Sequence, residues 1–205
     1  MSHLTPAGRL PFFIPDDQPE GSRSGHELGA EISAQLGIDA LFPASETTLD
    51  SFGFEPCGYS ANAVIGSGLS AGKGDGGYFT IHVTPEEGWS YASFECNVPL
   101  PAEGKAVPGG RPDLKTLIRR VVDIFQPNRL CITLFASTGE NHEPVPPVVA
   151  ALGLLPEFER KDRIGYEFDG YDLVFACFER RGWVEPKSPV SPTKAKLEAI
   201  EALQS

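Results

Sequence analysis

Residues 80–95 read TIHVTPEEGWSYASFE. Two runs of β-branched and aromatic residues flank Pro85-Glu86-Glu87-Gly88, which has a turn's composition, so the spacing predicts two short strands, Tyr78 to Thr84 and Trp89 to Asn97. Side chains alternate along a strand, so Tyr78, Thr80 and His82 share one face. An imidazole in such a strand is more often a hydrogen-bonded structural group than a proton carrier, and its neighbours decide which. Here Glu86 lies in the turn, and Ser60 sits in what reads as a loop leading toward the strand. Ser, His and Glu are the components of a hydrolase triad, but Gly58-Tyr59-Ser60-Ala61-Asn62 lacks the nucleophile elbow G-x-S-x-G.

Outward from this hairpin, DLKTLIRRVVDIF (113–125) carries apolar residues at 114, 117, 118, 121, 122 and 125. That period predicts an amphipathic helix, with Asp113 favourable at its start and Pro127 just past its end. Leu130 to Ala136 predicts a strand, and RIGYEFDGYDLVFACFE (163–179) a hairpin around Asp169-Gly170. A short helix fits His26 to Leu36, ended by Gly37. Residues 38–54 read as irregular, 61–77 as a flexible glycine-rich loop, and 138–157 as a Pro-broken loop. Gly66, Gly68 and Ala71 match G-x-G-x-x-A, but the glycines that follow prevent the helix a dinucleotide site requires, and Lys73 lacks a P-loop's context. Residues 1–28 are expected to be an irregular tail, 29–183 the folded unit, and 184–205 a Pro-rich linker with a short charged helix. The fold class is therefore α+β, an antiparallel sheet with helices on one face. Strands 91–97, 130–136 and 171–178 are apolar on both faces, so the face away from the helices needs a partner.

Composition excludes some function classes. A formal net charge of −11 over 205 residues argues against nucleic acid, because few cations are available to replace phosphate counterions. No apolar run reaches membrane-spanning length, and the expectation is a soluble, cytoplasmic protein with no membrane partner. Cys57, Cys96, Cys131 and Cys177 occur singly, without a C-x-x-C pair, which predicts reduced thiols and no metal.

FEPCGYSAN (54–62), YFTIHVTPE (78–86), WSYASFECN (89–97), DLKTLIRRVVDIFQPNRLCITLF (113–135) and FDGYDLVFACF (168–178) occur in this order. Together they resemble the carboxy-terminal half of eukaryotic S-adenosylmethionine decarboxylase, over residues 34–180. The resemblance implies about half of an αββα sandwich and an enzyme that removes the carboxylate of S-adenosylmethionine for spermidine and spermine synthesis. Its electron sink is a pyruvoyl group formed when the chain cuts itself at a Glu-Ser bond. Matched by motif, His82 is the base of self-processing and Ser60 its hydrogen-bonding companion. Phe54 stacks on the adenine and Glu86 accepts the ribose hydroxyls. Glu95, Phe135 and Tyr171 match positions around a buried putrescine site.

The resemblance is incomplete. No Glu-Ser dipeptide occurs, and SETTL (45–49), which looks similar, lies too close to Phe54 and reads as a loop. Three expectations follow: a decarboxylase of this family, an inactive paralogue or regulatory subunit pairing with a full-length homologue, or an adenosyl-binding module. Self-association is expected if half a sandwich stands alone.

Overall fold

A strand of three residues near the amino terminus lies in the middle of the sheet. The computed structural model describes residues 1–14, 23–66, 76–137 and 155–186, and its eight strands form one sheet in which every pairing is antiparallel. In spatial order these are β2 (Thr47–Gly53), β3 (Tyr59–Ile65), β4 (Gly77–Thr84), β5 (Tyr91–Cys96), β1 (Ser2–Leu4), β6 (Pro127–Ser137), β8 (Tyr171–Arg180) and β7 (Phe158–Phe168). The helices are α1 (Pro6–Arg9), α2 (Gly25–Leu36) and α3 (Leu114–Phe125).

Local chemistry sets the helix ends. Ser24 and Glu27 form a reciprocal capping box at the start of α2, and Gly37 ends it with φ +69°. Asp113 caps α3 by accepting the Thr116 N–H at 2.8 Å. Gly29 allows α2 to lie directly on β2, since a Cβ there would come within 2.4 Å of the Phe52 nitrogen. The helices pack on one sheet face. Tyr59, Ala61, Ala63 and Ile65 of β3 and Phe79, Ile81 and Val83 of β4 are buried there with Ile32 of α2 and Leu117, Val121 and Phe125 of α3. Leu130, Val174, Ala176 and Phe178 are buried with Val122 on the other side of β1. The buried Ser33 hydroxyl is satisfied by the Gly29 carbonyl, Ser51 and Tyr59 at 2.7–3.1 Å. On the opposite face Val64, Tyr78, Phe135 and Tyr171 are exposed.

The sheet, α2, α3 and the Asp169-Gly170 hairpin agree with the sequence reading, and Gly170 takes φ +81°. Several expectations need correction. The described part of residues 1–28 is not an irregular tail: β1, α1 and the 3-10 turn Leu10–Phe12 bury Leu4 and Phe12, because β5 and β6 flank the strand, and α2 begins at Gly25, while residues 15–22 lie outside the described residues. Three residues are too few to show an alternating pattern. Residues 47–53 and 59–65 are strands β2 and β3, so Ser60 lies on a strand and not in a loop. Small Ala61 and Ala63 hide the apolar face of β3 from a hydropathy reading. SETTL is only partly a loop, since Thr47 opens β2 and the preceding Glu46 binds Arg111 at 2.7 and 2.8 Å. Cys131 and Cys177 are not free thiols: they stand directly opposite each other on β6 and β8 and are joined as a disulfide, whereas Cys57 and Cys96 are free. Strand register, invisible in residue spacing, makes that pair. The phosphate-loop-like glycines from 67 to 75, the loop residues 138–154 and the terminal stretch 187–205 lie outside the described residues. Among the described residues no helix is long and apolar enough to cross a membrane.

Hydrogen bonds from Thr116 first, and the Gly104 amide after it, hold the Asp113 carboxyl below its usual range against the opposing effect of burial. A lowered folded-state value stabilises above the unfolded carboxylate range and is lost as pH falls through the folded value. Asp113→Ala is expected to cost about 1 kcal/mol at pH 7. Urea unfolding should show the gap from wild type shrinking below about pH 4.

Candidate functional site

The ladder between β3 and β4 sets Ser60 directly opposite His82, and β5 sets Ser93 opposite His82 on its other side. Because Tyr59, Ala61, Ile81 and Val83 point into the helix-covered core, Ser60 and His82 must point to the uncovered face. There the Ser60 hydroxyl and His82 Nδ1 are 2.9 Å apart. Phe52 on β2 stands opposite Ser60, giving a transverse row Phe52, Ser60, His82, Ser93. The next row is Asp50, Asn62, Thr80, Glu95. Glu95 is thus one row from the imidazole.

The turns at the end of these strands add an aromatic ring and a carboxylate. Phe54 follows β2 and is held by its N–H donating to the Gly58 carbonyl at 3.0 Å, with Gly58 at φ +117°. Its ring, 45% exposed, lies 4.9 Å from that of Phe52. Glu86, in the turn after β4, meets Cys57 of the Phe54–Gly58 turn. Burial first, then the charge and hydrogen bond of Glu86, push the Cys57 thiol up. Phe54, Ser60, His82 and Glu86 are therefore brought to one end of the β2–β5 half of the sheet.

Phe135 and Tyr171 share the uncovered face but lie on the other side of β1. Phe135 stands opposite Leu173, and Tyr171 opposite Ser137 and Phe168. They are 67% and 53% exposed, and among the described residues no hydrogen bond links Glu95 to Tyr171. The sequence reading missed Ser93, which stands opposite His82, Asn62, one row along on β3, and Phe52, which stands opposite Ser60; strand register shows all three. Two depressions, of about 450 and 490 Å³, lie on the helical side against α3. Neither includes Ser60 or His82.

An open antiparallel sheet, helical on one side and bearing a hydroxyl–imidazole pair on the other, defines half of a two-sheet α+β sandwich. A family model for adenosylmethionine decarboxylase matches residues 1–179, and the chain belongs to that family. It is 30% identical over 163 residues to the S-adenosylmethionine decarboxylase proenzyme of Saccharomyces cerevisiae, covering 77% of this chain and 38% of that protein. It is 34% identical over 175 residues to S-adenosylmethionine decarboxylase proenzyme 4 of Arabidopsis thaliana, covering 85% and 45%. The chain thus spans less than half the length of these relatives. The crystal structure of the Trypanosoma brucei AdoMetDC-delta26 monomer matches with a TM-score of 0.60 at 23% identity, over 89% of this chain and 63% of that one, a likeness of fold. The family match begins at residue 1, in keeping with the place of β1 inside the sheet.

A thiol whose pKa is raised holds less thiolate at a given pH and reacts more slowly. Cys57 is expected to be alkylated by iodoacetamide more slowly than a free cysteine at pH 8, and Glu86→Gln should speed it. Peptide mass spectrometry over a time course measures both rates. An unchanged rate in the variant would separate Glu86 from Cys57.

Proposed function

We propose that this chain supplies the ligand-recognising and proton-transferring face of an S-adenosylmethionine decarboxylase of polyamine synthesis. The observation that carries the proposal is the 2.9 Å contact between the Ser60 hydroxyl and His82 Nδ1 on a sheet face that no described helix covers. In this reading His82 moves the proton and Ser60 holds the ring's orientation. Engagement of Nδ1 leaves His82 Nε2 without a partner among the described residues, available to a reacting group. Phe54 offers a ring face to the adenine, and the two Glu86 oxygens can each accept one ribose hydroxyl. Glu95, with Phe135 and Tyr171, provides carboxylate and aromatic groups for a diamine such as putrescine.

A pyruvoyl group supplies an electron sink when carbon dioxide leaves. The donor set suits a group presented over this face, since an exposed imidazole beside Ser60, Thr80 and Ser93 can exchange a proton with it. With no Glu-Ser dipeptide in the 205 residues, that group comes from another segment or another chain.

The exposed apolar side chains of β6, β7 and β8 favour a second reading, in which the chain is an inactive paralogue that completes its sandwich with a full-length homologue or a second copy. Carbon dioxide release from carboxyl-labelled S-adenosylmethionine, measured with the chain alone and mixed with a full-length homologue, separates the two. Release that depends on His82 of this chain, with the pyruvoyl group carried by another chain, supports the first reading. An intact, inert chain that changes the homologue's rate supports the second. Neither activity, complex nor adenosyl binding overturns both. In a context that carries a Glu-Ser-Ser segment, His82→Ala is expected to slow self-cleavage by roughly 10²- to 10⁴-fold, as loss of a general base does. Normal processing of that variant would remove His82 from the role.

A further inference from the structure

The turn Pro85 to Ser90 joins β4 to β5 and carries Glu86, and β1 fastens it. The His3 N–H donates to the Ser90 carbonyl at 3.0 Å, and the Leu4 N–H donates to the Ser90 hydroxyl at 2.8 Å. Ser90 is almost fully buried, so these bonds are shielded from water. His3 itself takes φ +52°, a left-handed conformation that side chains with a Cβ rarely adopt. In that conformation its imidazole lies between two indoles. The ring centroid is 5.3 Å from Trp89 of the turn and 5.1 Å from Trp183, just after β8.

His3 Nε2 is buried and, among the described residues, has no hydrogen-bond partner. A buried polar nitrogen left in that state is costly, so its setting calls for a partner. The Glu185 carboxylate stands 3.9 Å from it, just beyond hydrogen-bond reach. Other charges bear on the same ring. From β6, Arg129 lies over the Trp183 ring at 5.6 Å and binds Glu185 at 3.0 Å and Glu179 of β8 at 2.9 Å. Lys161 of β7 is 3.7 Å from Glu179. On the turn, Glu87 is 3.8 Å from Arg9 of α1. Arg129 is thus shared by two carboxylates, which leaves Glu185 with oxygen lone pairs to offer.

We propose that His3 is a positioning residue for the turn that carries Glu86, and that proton uptake by its imidazole completes the hold. The proposal rests on the reading in which Glu86 receives the substrate's ribose. With a neutral ring, the two bonds to Ser90 and the contact with Trp89 hold the turn. With a charged ring, Nε2–H donates to Glu185 and draws the Trp183 segment inward, and the imidazolium lies against two indole faces that attract a cation. β1, the turn and the segment after β8 then form one stitched unit. Glu86 is held more firmly as His3 takes up its proton and less firmly as the proton is lost.

The test follows the His3 ring, the Trp89 and Trp183 indole N–H groups and the Gly88 amide by NMR between pH 5 and 8. All four should change together with one midpoint. In Glu185→Gln the Trp183 response should disappear, because the charged ring loses its acceptor. In His3→Gln the turn should stop responding to pH and keep its high-pH signals throughout. Binding of 5′-methylthioadenosine, a nucleoside thioether with no carboxylate to lose, should weaken on the order of 3- to 10-fold from pH 5.5 to 8 in wild type and stay flat in His3→Gln. Turn signals that stay fixed as the His3 ring changes, or a Trp183 response indifferent to Glu185→Gln, overturn the proposal. Should His3→Gln fail to fold, Glu185→Gln still decides it, since Glu185 is exposed and follows the last strand. A wild type that binds no 5′-methylthioadenosine at any pH refutes the role given to Glu86, while the NMR titration still decides the hold on the turn.

Discussion

The sheet is continuous because three residues bridge its two halves. β1 is the neighbour of both β5 and β6, with Ser2 opposite Tyr91 on one side and Arg129 on the other. The Ala92 N–H donates to the Met1 carbonyl at 3.0 Å, and the Thr5 N–H, just past the strand, to the Gln126 carbonyl at 3.0 Å. The Met1 side chain packs against both hydrophobic clusters, one under β2–β5 and one under β6–β8. Burial of side chains such as Leu4 and Phe12 contributes roughly 1.5–3 kcal/mol each, enough to anchor a segment too short to form a strand by itself. The His82 row and the aromatic residues of β6 and β8 therefore share a face only through β1.

That face is divided. On β3 to β5 it carries Ser60, Asn62, Thr80, His82, Ser93 and Glu95, and on β6 to β8 it carries Phe135, Leu173, Phe175 and Tyr171, with Ile164, Tyr166 and Phe168 on β7. Ile164, Tyr166 and Phe168 are exposed, as are Phe135 and Tyr171. A cover laid over the apolar half would gain from the water it displaces. The same cover would exclude water from the polar half, where proton transfer and charge recognition strengthen as the local dielectric falls. In the proposed reading, docking and chemistry fall on neighbouring strands of one surface, and the first prepares the setting for the second.

Periodic elements with many residues were legible. α3 shows six apolar positions on one stripe after Asp113, and the β7–β8 hairpin turns on Asp169-Gly170, where φ of +81° suits glycine. Ser60 and His82 could be paired by motif, and Phe54 and Glu86 fall beside them in the structure. What the chain order concealed was cross-strand register. β3 alternates Tyr59, Ala61, Ala63 and Ile65 toward the core, but two alanines carry too little apolar surface to mark a strand. Without β3 as a strand, the place of Asn62 one row from His82 had no frame. The Cys131–Cys177 pair was hidden for the same reason, since 46 residues separate partners that one ladder step joins. β1 was illegible because tertiary contacts, not propensity, hold it.

The partner of His82 also suits the work proposed for it. A carboxylate on Nδ1 would favour the charged ring, as the buried aspartate of a hydrolase triad does. A hydroxyl differs, because Ser60 can donate to a bare Nδ1 or accept from Nδ1–H. With Nδ1–H donating to Ser60, the ring can take or give up a proton at Nε2 without losing its 2.9 Å contact to Ser60 in either state. The contact is set by two directly opposed residues of adjacent strands, whose backbones are fixed by the ladder. A base on this scaffold keeps its aim through a full cycle of proton transfer, which a side chain on a loop would do only at a cost in order.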